Sequence, residues 1–236
     1  PISRGVGILG GCCGTTPQHI KATAKRLVGV VENVQIAMLD RVPVQAQDTA
    51  DKAIPNAFAQ KLFAGERVIA VELDPPLNGD FSYLKESGQV LKRSGVDIIT
   101  IADSPLGRAR ADSIMMAAKL ARDCGIQTLP HLCCRDRNII AIKGALLGAS
   151  IEGICNVLVV TGDPTPHPAI KGVFSLNSYN LIQYIQTLNE EVLQGREIFI
   201  GGALNVNSPN FDMELRRAQK KISLGASFLM TQPIFT

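Results

Sequence analysis

The chain has 236 residues, 46% hydrophobic and 19% charged, with no tryptophan and a net charge of +3. So few charged residues imply a large buried core, and so small a charge without a long basic run excludes nucleic acid as the default partner. No stretch approaches the ~20 apolar residues of a membrane span, and six cysteines, two pairs of them adjacent, do not make a secreted disulfide framework, so a cytoplasmic protein with reduced thiols is expected.

The chain opens on Pro1, and "GVGILGGCCG" reads as a strand entering a glycine-rich turn that carries Cys12 and Cys13. "TTPQHIKATAKRL" follows as a helix, with Thr15 or Thr16 ahead of Pro17 as its cap. From Val31 to Gln60 there is no clear period and there are several breakers, which predicts a linker. Beyond it, short apolar runs begin at Val68, Asp97, Gln127, Asn156, Ile198 and Phe228; the intervals are 29, 30, 29, 42 and 30 residues. A strand, a helix and two loops occupy about 30 residues, so these are βα units and the strands should be parallel. Gly95, Gly125, Gly153, Gly195 and Gly225 each follow an amphipathic run as expected C-caps. The last helix is expected to start at Ser208 and Pro209 and to bury a stripe of Phe211, Leu215, Ala218 and Ile222.

No G-x-G-x-x-G follows the first strand, which disfavours a dinucleotide-binding sheet. Polar residues instead recur at the C-terminal end of every strand: Glu72, Asp103, His131, Asp163, Asn205 and Gln232. Active sites of α/β barrels are assembled this way. The expected fold is therefore α/β, an incomplete (βα)8 TIM barrel of about six βα units. Since the chain starts without Met and stops on an apolar strand, it is expected to be a piece of a longer protein.

Within "VIAVELDPP", alternation puts Ala70 and Glu72 on one face, with Glu72 at the barrel mouth. Apolar neighbours and Pro75-Pro76 should raise its pKa toward general-acid use, whereas Asp74 reads as a solvated or capping residue. Asp163, after Gly162 in "VVTGDPT", is either a ligand-facing carboxylate or a turn residue before Pro164. His131 and Cys133 share a face in "PHLCC", and Gln232 lies in "MTQPIF". Glu214, Arg217, Lys220 and Lys221 fall on one flank of the last helix, where a solvated charged face is the plainer reading. No Ser-His-Asp pattern, P-loop, H-E-x-x-H or strand-end lysine is present.

In this order the motifs resemble methylenetetrahydrofolate reductase, a flavin-dependent barrel family. "VELDPP" is similar to its F-E-F-F-P-P, "PHLCC" to T-H-L-T-C, "VVTGD" to A-L-R-G-D and "MTQPIF" to I-T-Q-F-F, with matching spacing over residues 61–236. The resemblance implies FAD-dependent reduction of 5,10-methylenetetrahydrofolate to 5-methyltetrahydrofolate. It implies Glu72 as the acid on the folate nitrogen, Asp163 between flavin and folate, and Gln232 on the pterin. It also implies His131, Thr161, Gly162, Asn207, Glu214, Lys220 and Lys221 around FAD, with NAD(P)H or a partner protein as electron donor and a possible homo-oligomer. Departures are Leu73 and Asp74 for two aromatics, Thr161 for an arginine, and a short "GGALNVNSP" without tyrosine.

Residues 1–30 resemble instead the end of a homocysteine S-methyltransferase barrel, its last strand and helix. There the G-G-C-C-G-T-T-P motif implies Cys12 and Cys13 as zinc ligands, with a third cysteine upstream and homocysteine as substrate for methionine synthesis. Residues 31–60 would link the two parts, as in bacterial fusions of these enzymes. Two other readings stay open: a pterin- or other small-molecule-processing barrel without flavin, and a non-catalytic folate- or flavin-binding barrel.

Overall fold

A computed structural model describes residues 15–27, 55–166 and 169–234. The chain divides into two units, Pro1–Asp48 and Thr49–Thr236. In the first, the expected helix is α1 (Pro17–Leu27), with Pro17 as its first residue and Thr16 Oγ1 3.3 Å from His19 Nδ1. The strand expected before it, with Cys12 and Cys13, lies outside the described residues.

The second unit begins, among the described residues, with α2 (Ala57–Phe63), followed by β1 (Ala70–Leu73), α3 (Ser82–Arg93), β2 (Ile98–Ile101), α4 (Ser113–Cys124), β3 (Gln127–Cys133) and α5 (Ile139–Ile151). Then come β4 (Asn156–Val160), α6 (Ser178–Glu191), β5 (Phe199–Leu204), α7 (Phe211–Ser223) and β6 (Phe228–Thr231). The six strands form one sheet in chain order, every neighbouring pair parallel, which is the α/β half-barrel the repeat spacing predicts. Asp112, Asn138 and Asn177 cap α4, α5 and α6 by accepting N–H bonds three residues on. Gly125 ends α4 at φ +62°, and the other four expected cap glycines also have positive φ.

Alternation gives the sheet two apolar faces. On the outer face Ile99, Ile101, Leu132, Val157, Val159 and Ile200 pack with buried residues of the helices, such as Leu84, Leu120 and Leu181. On the inner face Ile98, Leu129 and Leu158 form a second cluster with Phe58, flanked by Phe199, Phe228 and Met230. Phe58 brings α2 beneath this inner cluster, edge-on to the rings of Phe199 and Phe228. The helix is pinned to the strand starts by three polar contacts. Phe58 N donates to Gln127 Oε1 at 2.8 Å, Asn56 Nδ2 donates to Asn156 Oδ1 at 2.7 Å, and Lys61 pairs with Asp97 at 2.6 Å. These residues therefore close the N-terminal end of the half-barrel and leave its C-terminal end to the site, and α2 runs across the expected linker boundary at residue 60.

The last helix departs from its expectation. Asn210, not Ser208, is its N-cap, because the Asn210 side chain accepts from Met213 N. The expected apolar stripe is not what it buries: Phe211, Leu215 and Ile222 are about half exposed, and Ala218 alone of the four is buried. The sheet-facing side is Glu214, Ala218 and Lys221, because the paired glycines Gly201 and Gly202 on β5 leave room for a lysine stem: Lys221 Cδ lies 3.1 Å from where a Gly202 Cβ would stand. No described helix is long and apolar enough to cross a membrane.

Candidate active site

Strand register assembles the first group of polar residues. Glu72 of β1 pairs with Thr100 of β2, and Thr100 pairs with Leu129 of β3, so His131 is the next inward residue on β3. All three point to the inner face, as the Ala70–Glu72 alternation predicts for Glu72, and His131 shares its face with Cys133 as expected. Glu72 Oε2 lies 3.7 Å from His131 Nε2. Burial pushes the His131 pKa down to about 4, so at neutral pH the imidazole is uncharged and the contact is not an ion pair. Two polar atoms here are buried, His131 Nε2 without a hydrogen-bond partner and Thr100 Oγ1 with the Glu72 carboxyl as its polar neighbour. An unpartnered buried atom is costly unless something else satisfies it, which marks a ligand-facing surface.

The Glu72 carboxyl is raised above its ordinary value, first by partial burial and then by the charge of Asp74, with the Thr100 hydroxyl acting the other way. Asp74 thus matters to the site, beyond the solvated role the sequence suggested. Its side chain pairs with Arg110 at 3.2 Å, and Arg110 Nη1 also donates to Pro75 O at 2.9 Å. Thr100 is the inward residue the sequence reading missed; its only signal was a single hydroxyl inside "DIITIA".

A second group lies in the loops after β2, β3 and β4. Asp163 Oδ2 accepts from Leu106 N at 2.8 Å, so this exposed carboxylate is fixed by a neighbouring loop. Gly162, at φ +96°, is required by packing: a Cβ there would sit 2.1 Å from Cys133 Sγ. Thr161 O accepts from Cys133 Sγ at 3.5 Å. Buried Asp103 accepts from Cys133 N at 2.9 Å and from Arg137 at 2.5 Å, while Arg137 also reaches Asp112 at 2.7 Å. The thiols at this end are inert: Cys133 and Cys134 are buried, and burial, aided by Cys133, pushes the Cys134 pKa up to about 12.

The remaining expected residues form a third group around β5, β6 and α7. Glu214 is buried rather than solvated. It accepts from Asn205 N at 3.1 Å and from Arg217 at 3.2 Å. Burial works to raise its carboxyl, but these bonds and the nearby Lys221 and Arg217 charges hold it below the ordinary value. Lys221 donates to Ala203 O, and burial lowers its pKa against the opposing pull of Glu214. Lys220 lies 4.7 Å over the ring of Tyr179 on α6. These three therefore sit on the outer side of the sheet, away from the inward Glu72, Thr100 and His131. Asn207 Nδ2 donates to Pro233 O at 3.0 Å, and Gln232 continues the inward side of β6, with its N–H bonded to Leu204 O. Among the described residues no group of His, Cys, Asp and Glu is placed to hold a metal; Cys12 and Cys13 lie outside them.

The family model described as "Methylenetetrahydrofolate reductase" matches residues 57–236, and that of "Homocysteine S-methyltransferase" matches residues 2–27. The chain is similar to D-inositol 3-phosphate glycosyltransferase of Kribbella flavida, 24% identical over 147 residues, covering 59% of this chain and 35% of that protein. Among solved structures it resembles 2,3-dimethylmalate lyase, a PEP mutase/isocitrate lyase superfamily member, with TM-score 0.55 and 11% identity over 75% of this chain and 61% of that one. It also resembles phosphoenolpyruvate phosphomutase from Streptomyces platensis subsp. rosaceus, with TM-score 0.52 and 15% identity over 74% and 63% of the two chains. At these identities the structural likeness speaks for the fold alone. The chain spans about a third of the curated relative and less than two thirds of either solved structure.

Proposed function

The chain belongs to the methylenetetrahydrofolate reductase family, and from that premise we propose that it carries the barrel in which FAD-dependent reduction of 5,10-methylenetetrahydrofolate to 5-methyltetrahydrofolate takes place. The observation that carries this reading is the inward trio of Glu72, Thr100 and His131, with the buried, unpartnered His131 Nε2 beside a carboxyl of raised pKa. A flat, multiply hydrogen-bonding ring such as a flavin suits that surface, because a neutral imidazole offers one donor and one acceptor nitrogen and the hydroxyl offers both. FAD, when bound, supplies the hydride.

The chain's own residues do the rest. Glu72, its carboxyl raised above the ordinary value by burial and by Asp74, gives its proton to the folate nitrogen whose bond to the methylene carbon breaks as the five-membered ring opens. Asp163 stays fixed through Leu106 N and favours the iminium cation left on the folate by charge. Gln232 hydrogen-bonds the pterin. His131 and Thr100 face the cofactor, with Thr161, Gly162 and Asn207 at its edges. Glu214, Lys220 and Lys221 bear on FAD through the β5–α7 region they hold together. NAD(P)H or an electron-donor protein restores the reduced cofactor, in a cytoplasmic enzyme that can form homo-oligomers.

The match at residues 2–27 supports a joined homocysteine S-methyltransferase, with Cys12 and Cys13 as two of its zinc ligands, a third from upstream sequence, and methionine as product. The test of the reductase reading is Glu72→Gln: folate reduction should fall by ~10²–10⁴-fold while flavin binding and flavin reduction survive. Folate turnover near the wild-type rate in that variant would remove Glu72 from the chemistry.

A further inference from the structure

Arg135 is a charged residue only 2% exposed, at the start of the loop after β3. Its guanidinium makes four hydrogen bonds. Nε and Nη2 donate to the two carboxylate oxygens of Asp136 at 2.8 and 2.6 Å, Nη1 donates to Asp163 O at 2.7 Å, and Nη2 also reaches Ser104 O at 3.3 Å. Its own carbonyl accepts from Val173 N at 2.6 Å and from Phe174 N at 3.4 Å. One side chain thus ties together the loops that follow β2, β3 and β4.

A second observation points to the same residue. Among the described residues, three that are not glycine have positive φ: Ser104 at 48°, Leu106 at 55° and Phe174 at 42°. Each lies in a segment held by Arg135. Ser104 accepts from its guanidinium, Leu106 donates to the side chain of Asp163 whose carbonyl Arg135 holds, and Phe174 donates to its carbonyl. Left-handed backbone of this kind costs of order 1–3 kcal/mol per residue and persists only where the surroundings over-determine it. The glycines beside it leave little slack. A Cβ on Gly107 would meet Pro164 O at 2.4 Å, and one on Gly162 would approach Arg135 Cβ to 3.1 Å.

We propose that Arg135 is a positioning residue whose guanidinium holds the loops after β2, β3 and β4 together and thereby sets where the Asp163 carboxylate stands in the site. This rests on the reading of Asp163 given above. The planar fork is essential because its bonds run in three directions, to Asp136, Asp163 and Ser104, and a lysine ammonium cannot reproduce that geometry while keeping the charge.

The test is made in the full protein with Arg135→Lys and Arg135→Ala, by amide hydrogen exchange and by kinetics. Expected in both is loss of protection at Leu106 and Val173, with the strand amides of β2 and β4 unchanged. Displacing Asp163 by about 1 Å should lower kcat by ~10²-fold with a smaller effect on KM, and added guanidinium should restore part of the rate in Arg135→Ala but not in Arg135→Lys. Unchanged exchange at Leu106 and Val173 would overturn the proposal whether or not folate turns over. So would loss spread equally over the strands, which would make Arg135 a general fold residue. Selective loss at those amides in a protein without folate turnover would uphold the clamp and sink the reductase reading instead.

Discussion

Acidifying the protein should cost stability through His131 by an amount the structure defines. Its side chain is 12% exposed, and burial moves its pKa from about 6.5 down to about 4. The unfolded chain takes up a proton near the ordinary value, and the folded chain resists until about 4. Between those limits the unfolded state binds more protons, so stability falls as pH falls through the window and is unaffected above it. The gap corresponds to about 3 kcal/mol in full, and to about 2 kcal/mol by about pH 5. Urea unfolding of wild type and His131→Gln, from about pH 7.5 to about pH 4.5, isolates the effect because carboxylates common to both proteins cancel in the difference. Glu72 must be controlled: its raised carboxyl contributes with the opposite sign, so the pair is also compared in a Glu72→Gln background. Wild type should lose about 2 kcal/mol more than His131→Gln by about pH 5. Parallel stability curves would refute the neutral, buried imidazole.

Gly162→Ala combines a positive φ with a Cβ 2.1 Å from Cys133 Sγ, so denaturation should show a loss of about 2–4 kcal/mol; a change under about 0.5 kcal/mol would mean the loop relaxes freely. Phe58→Ala removes the ring of α2 from the inner cluster and should cost about 3–5 kcal/mol by the same assay, and a loss below about 1 kcal/mol would detach α2 from the core. On the proposed methyltransferase reading, the full-length protein should bind zinc by metal analysis and lose it when Cys12 or Cys13 becomes Ala; zinc retained in both variants would exclude those thiols as ligands.

The regular parts of the architecture were legible because their signals are local. Strand spacing, cap glycines and period-two alternation gave the six parallel strands, the inward direction of Glu72 and the shared face of His131 and Cys133. What stayed hidden depends on contacts distant in sequence. That α2 would close the barrel end follows from Asn56 meeting Asn156, 100 residues away. In the sequence Arg135 is one charge within "CCRDR" that carries no local signal, and its role comes from carbonyls about 30 residues away on either side. The last helix misled for a physical reason: periodicity shows that a helix has an apolar side but not which side the sheet takes, and here Glu214 and Lys221 had backbone partners on the sheet side.

The central claim is that this barrel passes electrons from a flavin to a methylenefolate. The most direct measurement takes the purified full protein with FAD, reduces it without oxygen, and follows the flavin absorbance on adding 5,10-methylenetetrahydrofolate. The account predicts that the oxidised-flavin band returns with an equal amount of 5-methyltetrahydrofolate, and that Glu72→Gln binds FAD and stays reduced. A protein that takes up no flavin, or whose bound flavin remains reduced in the presence of the folate, would contradict it.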